Sequence, residues 1–118
     1  MALGSGPQLI SCFSFSQLNS NLDNRLKTYD INSEEIITVK LRNYGQNYLL
    51  MSNMYGGGNA TTMPALYVIT VGSTPSNTST VTAVASSENS RLSFTWVDTL
   101  TLQIQAHPGT WSHISIFG

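Results

Sequence analysis

The chain has 118 residues, the size of one domain, and only 9% of them are charged where roughly 25% is usual. Neutral polarity replaces the missing charge, with 16 Ser, 13 Thr, 10 Asn and 5 Gln. A net charge of −1 excludes a general nucleic-acid binder or a polybasic membrane-surface module, and the single Cys12 excludes an internal disulfide and a clustered-thiolate zinc site.

Residues 1–15 form an N-terminal lead-in. "MALGSGP" is small and flexible, lacks the cationic start of a secretory signal, and precedes a candidate strand, "QLISCFSF" (8–15). "SQLNSNLDNRLKTY" then spaces Leu18, Leu22 and Leu26 four residues apart, the stripe of a short helix with Ser16 as N-cap. Its Asn and Ser content suits a loop or an irregular strand instead.

From Glu35 onward the hydrophobic period is two. "EIITVKLR" sets Ile37, Val39 and Leu41 against Thr38, Lys40 and Arg42, the pattern of a half-buried antiparallel strand. "NYLLMSNM" (47–54) and "ALYVITVG" (65–72) read as interior strands, and "STVTAVAS" (79–86) as a weakly alternating one. "RLSFTWV" directs Leu92, Phe94 and Trp96 one way. "TLTLQIQA" does so with Leu100, Leu102 and Ile104, and "WSHISIF" with Ile114 and Ile116. "NYGQN", "YGGGNATTMP", "GSTPSN", "SSENS", a tight Val97–Asp98 bend and "HPG" separate these runs. Seven to eight short strands predict an all-β antiparallel sandwich or jelly roll, one domain over 16–118. No apolar run approaches the ~18 residues of a membrane span.

Candidate chemistry is sparse. Cys12 or a serine beside His107 or His113 would be needed for a nucleophilic site, but no G-x-S-x-G elbow occurs and a buried structural cysteine is the simpler reading. The carboxylates cluster in one solvated segment, which suits a charged face better than a glycosidase pair. Two histidines supply at most half a zinc site, and "YGGGN" lacks the Lys-Ser/Thr of a phosphate loop. Neither a metal nor a cofactor is expected, and the chain reads as non-enzymatic.

Recognition through surfaces remains. An aromatic face stacks on sugar C–H groups while amides and hydroxyls meet the sugar hydroxyls. Trp96 shares a face with Leu92 and Phe94 and reads as core, as does Tyr67 beside Ile69 and Val71. Trp111 lies on the face away from Ile114 and Ile116, and Tyr55 and Asn59 sit in the longest loop, so Tyr55, Asn59 and Trp111 are the candidate ligand residues. His113 faces solvent or an interface.

"SQLNSNLDNRL" (16–26) is similar to the Asn/Leu-rich connectors that precede distal domains in bacteriophage and prophage tail-fibre proteins. The order that follows ("EIITVKL", "YLLMSNM", a Gly-rich loop, "ALYVITVG", a Ser/Thr-rich run and "LTLQI…GTWSHISIF") resembles their C-terminal tip domains. The resemblance implies a homotrimeric β-sandwich at the tip of a virion's tail fibre, binding a cell-surface glycan or protein. Leu18, Leu22 and Leu26 would lie at the three-fold axis, with His113 also at the interface. A monomeric carbohydrate-binding module and a purely structural virion subunit are the alternatives. Eight of the eleven charged residues fall between Asp23 and Arg42, so that segment is expected to stay in water while the neutral body supplies subunit contacts.

Overall fold

The computed structural model describes residues 25–56, 59–86 and 92–118. The candidate strand at 8–15, Cys12, Leu18 and Leu22 lie outside the described residues.

Eight strands run in order: β1 (Leu26–Ile31), β2 (Ile36–Lys40), β3 (Asn47–Gly56), β4 (Asn59–Thr70), β5 (Thr80–Ser86), β6 (Leu92–Asp98), β7 (Thr101–Ala106) and β8 (Thr110–Phe117). They form a five-stranded sheet, β1-β8-β3-β4-β5, and a three-stranded sheet, β2-β7-β6, antiparallel throughout. The all-β sandwich anticipated from the period of two is what the chain adopts.

The core lies where the alternations converge. Leu50, Ile69 and Ile114 from the large sheet meet Leu102 and Ile104 from the small one, all essentially inaccessible to solvent. Each such side chain contributes roughly 1.5–3 kcal/mol by leaving water. Tyr67 is buried, and its ring meets the edge of Phe94 at 4.9 Å and 68°, joining β4 to β6 across the layers. Trp96 is half-buried against the same core.

One open alternative is decided and two expectations are corrected. Leu26 opens β1, so the four-residue leucine spacing does not continue as a helix there. Only Ile31 is buried and only Tyr29 half-buried on this edge strand, too few inward positions to display a period of two. The long "YGGGNATTMP" loop is mostly strand: β3 and β4 extend as a hairpin until Gly56 pairs with Asn59. Finally, the β6–β7 turn falls at Thr99–Leu100 rather than Val97–Asp98. Asp98 Oδ1 accepts the Leu100 N–H at 3.0 Å, an Asx-type turn in which the side chain replaces a backbone acceptor.

A buried polar clasp ties the β4–β5 connection to that turn. Ser79 Oγ accepts from Gly72 N–H at 2.9 Å and donates to the Thr99 carbonyl at 2.7 Å. Thr99 Oγ1 in turn lies 2.9 and 3.0 Å from the carbonyls of Pro75 and Asn77.

The two outward faces differ. Across the small sheet Thr38, Gln103 and Thr95 stand side by side, with Ile36, Gln105 and Ser93 in the next row. Across the large sheet the corresponding row reads Leu26, Phe117, Leu49, Val68 and, on the β5 edge, Thr82, and the next contains Met51 and Leu66.

Candidate functional site

Strand parity sends Tyr55 and Trp111 outward, and register makes them direct cross-strand partners on β3 and β8. Their rings stack with centroids 5.6 Å apart and planes 19° from parallel. Half of Tyr55 and 38% of Trp111 remain accessible, so this aromatic pair is held ready at the surface.

Backbone close approach fixes the pair. The β3 register shifts between Met54 and Gly56, and Gly56 takes φ 105°, a conformation that side-chain-bearing residues rarely adopt. A Cβ there would collide with the Gly109 carbonyl oxygen and approach Trp111 Cε3 to 3.1 Å. Gly109, at φ 78°, closes the preceding turn, in which Thr110 donates its N–H and its hydroxyl to the His107 carbonyl at 3.1 and 2.7 Å.

Next to the aromatic pair, Asp30, Asn32, Ser112 and His113 complete a depression of about 210 Å³ that Tyr55 and Trp111 also line. Asp30 and His113 are cross-strand partners on β1 and β8, and Asp30 Oδ1 contacts His113 Nδ1. Both side chains are about three-quarters exposed. The turn that presents Asn32 is closed by Glu35, whose N–H donates to the Asn32 carbonyl at 3.0 Å and whose Oε1 accepts the Asn32 N–H at 2.8 Å. The depression therefore offers an aromatic wall, an amide, a carboxylate and an imidazole.

The structure brings together two of the three sequence-derived ligand candidates, Tyr55 and Trp111. Asn59 is the first residue of β4 and pairs with Gly56 through the backbone. His113, expected to face solvent or an interface, is exposed and lines the depression, while Leu26 lies on the apolar outer row of the large sheet. Asp30 and Asn32 were missed because they belonged to a segment read as a solvated charged face. Only the β1–β8 register reveals them. No group of three or more His, Cys, Asp or Glu that could hold a metal occurs among the described residues, and no helix there is long and apolar enough to cross a membrane.

No protein-family model and no curated protein matches the sequence. Similarity appears among solved structures. The tailspike protein of Acinetobacter phage vB_ApiP_P1 superposes with a TM-score of 0.52 over 78% of this chain and 21% of its own, at 13% identity. Tailspike protein gp49 of the Acinetobacter baumannii bacteriophage Fri1, described as a capsular polysaccharide depolymerase, gives 0.38 over 79% and 17%, at 11% identity. The chain spans about a fifth of the length of these tailspikes. The first shares its fold with this chain over that portion.

Proposed function

We propose that this chain is a non-enzymatic receptor-binding module of a phage-type tail, and that it binds a cell-surface glycan in the depression beside Tyr55 and Trp111. The exposed aromatic stack carries the reading. Two large rings held at the surface by a glycine-dependent bulge form a preorganised platform for sugar C–H faces, and little ordering entropy remains to be lost on binding. Asn32, Asp30 and His113 at its rim supply acceptors and donors for hydroxyls. The fold shared with part of a phage tailspike supports a place in the virion tail.

The module would work as a homo-oligomer, a trimer by the resemblance to tail-fibre tips. The outward row Leu26–Phe117–Leu49–Val68 supports assembly, because a sheet face built for water would alternate like the small sheet's. From Asn43 to Ser87 the sequence has no charge at all, so copies meeting on this face incur no like-charge penalty there. Several weak sites on one assembly raise avidity by orders of magnitude without new contacts.

The test is a glycan array followed by calorimetry on the hits. Trp111→Ala should weaken binding about tenfold or more, the equivalent of roughly 1.4 kcal/mol, with unchanged far-ultraviolet circular dichroism. A broad glycan and host-cell panel with no ligand would overturn the reading in favour of a structural subunit. Hydrolysis of a bound glycan would overturn its non-enzymatic part.

A further inference from the structure

The charge balance of the whole chain conceals a local imbalance. Four of its five basic residues, Arg25, Lys27, Lys40 and Arg42, line one groove where the β1 edge of the large sheet meets the β2 edge of the small one. Chain reversal sorts the signs. β1 runs toward the turn around Glu34 and β2 runs back, so Asp30, Glu34 and Glu35 gather at the turn end while the four cations gather at the other. All four are exposed.

The only ion pair among the described residues joins His113 to Asp30, so none of the described side-chain carboxylates neutralises these cations at contact distance. Lys40 acts through space on the Asp98 carboxyl, as a lesser cause of that group's lowered pKa. Arg42 Nη2 donates to the Gly118 main-chain oxygen, which uses one of the five N–H donors of a guanidinium. The groove contains about 70 Å³, and its floor includes Tyr29 and the buried Tyr48. Burial raises the Tyr29 phenol, so at neutral pH it stays protonated and can donate a hydrogen bond. Four cations around so small a recess, none in an ion pair with a described side-chain carboxylate, suit a single oxyanion group at its centre.

We infer that this groove binds the acidic groups of a polyanionic polysaccharide, carboxylates of uronic-acid type being the simplest. The inference rests on the reading of the chain as a glycan-binding module and adds a second, charge-selective subsite to it. Charge density favours a polysaccharide over a nucleic acid. A DNA duplex carries one charge per ~1.7 Å and needs a long cationic track, whereas this chain has five basic residues in all. A sugar-acid polymer spaces its charges among neutral hydroxyls. That matches one basic groove set in a surface of Ser, Thr, Asn and Gln.

Oligogalacturonate is the probe, with its methyl ester as the neutral control and duplex DNA as competitor. The intact chain should bind oligogalacturonate at about 50 mM salt and lose most of that affinity when ionic strength is raised several-fold, because exposed charges are screened within ~10 Å. Lys27→Gln with Arg42→Gln should weaken it at least tenfold. Arg25→Gln with Lys40→Gln, which leaves the Arg42–Gly118 contact in place, should do the same. Circular dichroism should be unchanged in both. Trp111→Ala should leave this binding within about twofold, so failure of the groove and failure of the aromatic platform show separately. Equal affinity for the methyl ester, indifference to both double substitutions, or tighter binding of duplex DNA would each overturn the inference.

Discussion

Gly56 and Gly109 approach so closely that no room is left for a side chain on Gly56, and this contact sets the start of β8 against the end of β3. Trp111 lies two residues beyond Gly109, so the aromatic pair depends on an absent methyl group. Gly56→Ala must push Gly109 and Trp111 away and also hold alanine at a positive φ. The expected cost is about 2–4 kcal/mol, from the clash and the left-handed backbone together. Chemical denaturation measures that loss, and near-ultraviolet circular dichroism should show a weakened Tyr55–Trp111 signal. A variant with wild-type stability and spectrum would show that the hairpin end relaxes freely.

Ser79 joins the β4–β5 connection to the β6–β7 turn through one hydroxyl that both accepts and donates while 95% buried. Replacing it with alanine leaves the Gly72 N–H and the Thr99 carbonyl without that partner in an enclosed site. Unmade buried hydrogen bonds cost about 1–3 kcal/mol, so Ser79→Ala should lower the unfolding free energy by that amount in urea titration. Ser52 offers the contrast, because its buried hydroxyl has no hydrogen-bond partner among the described residues. Ser52→Ala should be neutral or stabilising by about 1 kcal/mol. If both serines behave alike, the clasp does not hold the connection.

Leu49 stands in the centre of the apolar outer row, between Phe117 on β8 and Val68 on β4. It is 41% exposed and so can accept a longer, charged side chain without entering the core. Leu49→Arg should shift the chain from oligomer to monomer in sedimentation velocity while its melting curve stays cooperative. Gln103→Arg, on the polar outer face of the small sheet, should leave the mass unchanged. A wild-type chain that is already monomeric at tens of micromolar would sink the assembly proposal without touching either glycan subsite.

Most of the sandwich was legible from Ile36 onward because most of its strands turn one side inward, β5 being the weak case, and burial on one side writes a period of two into the sequence. The exceptions have physical causes. β1 is an edge strand with one buried residue, so its sequence carries the leucine spacing more clearly than its own alternation. The Gly-rich segment looked like a loop because glycine marks both turns and bulges, and only the Gly56 close approach distinguishes the two. Outward parity identified Tyr55 and Trp111 one by one, but their partnership depends on register between strands more than fifty residues apart. The basic groove was hidden for another reason. Along the chain its cations interleave with acids, and only the reversal between β1 and β2 separates them.

Asp98 supplies a prediction in pH. The Thr101 hydroxyl, followed by the Leu100 N–H, holds its carboxyl below the usual carboxylate range. A group whose folded pKa is depressed binds protons more readily in the unfolded chain. Its stabilising contribution is therefore complete above the ordinary value of roughly 4 and is lost as pH falls through the lower folded value. Asp98→Ala removes both the Asx-type acceptor and this linkage, so the variant should melt below wild type by a constant margin from neutral pH down to about 5. The margin should narrow below about 4, where the wild type begins to protonate the same carboxyl. Melting temperatures of both proteins across that range decide the point. A margin that stays constant into strong acid would mean that Asp98 acts through turn geometry alone, with no contribution from its charge.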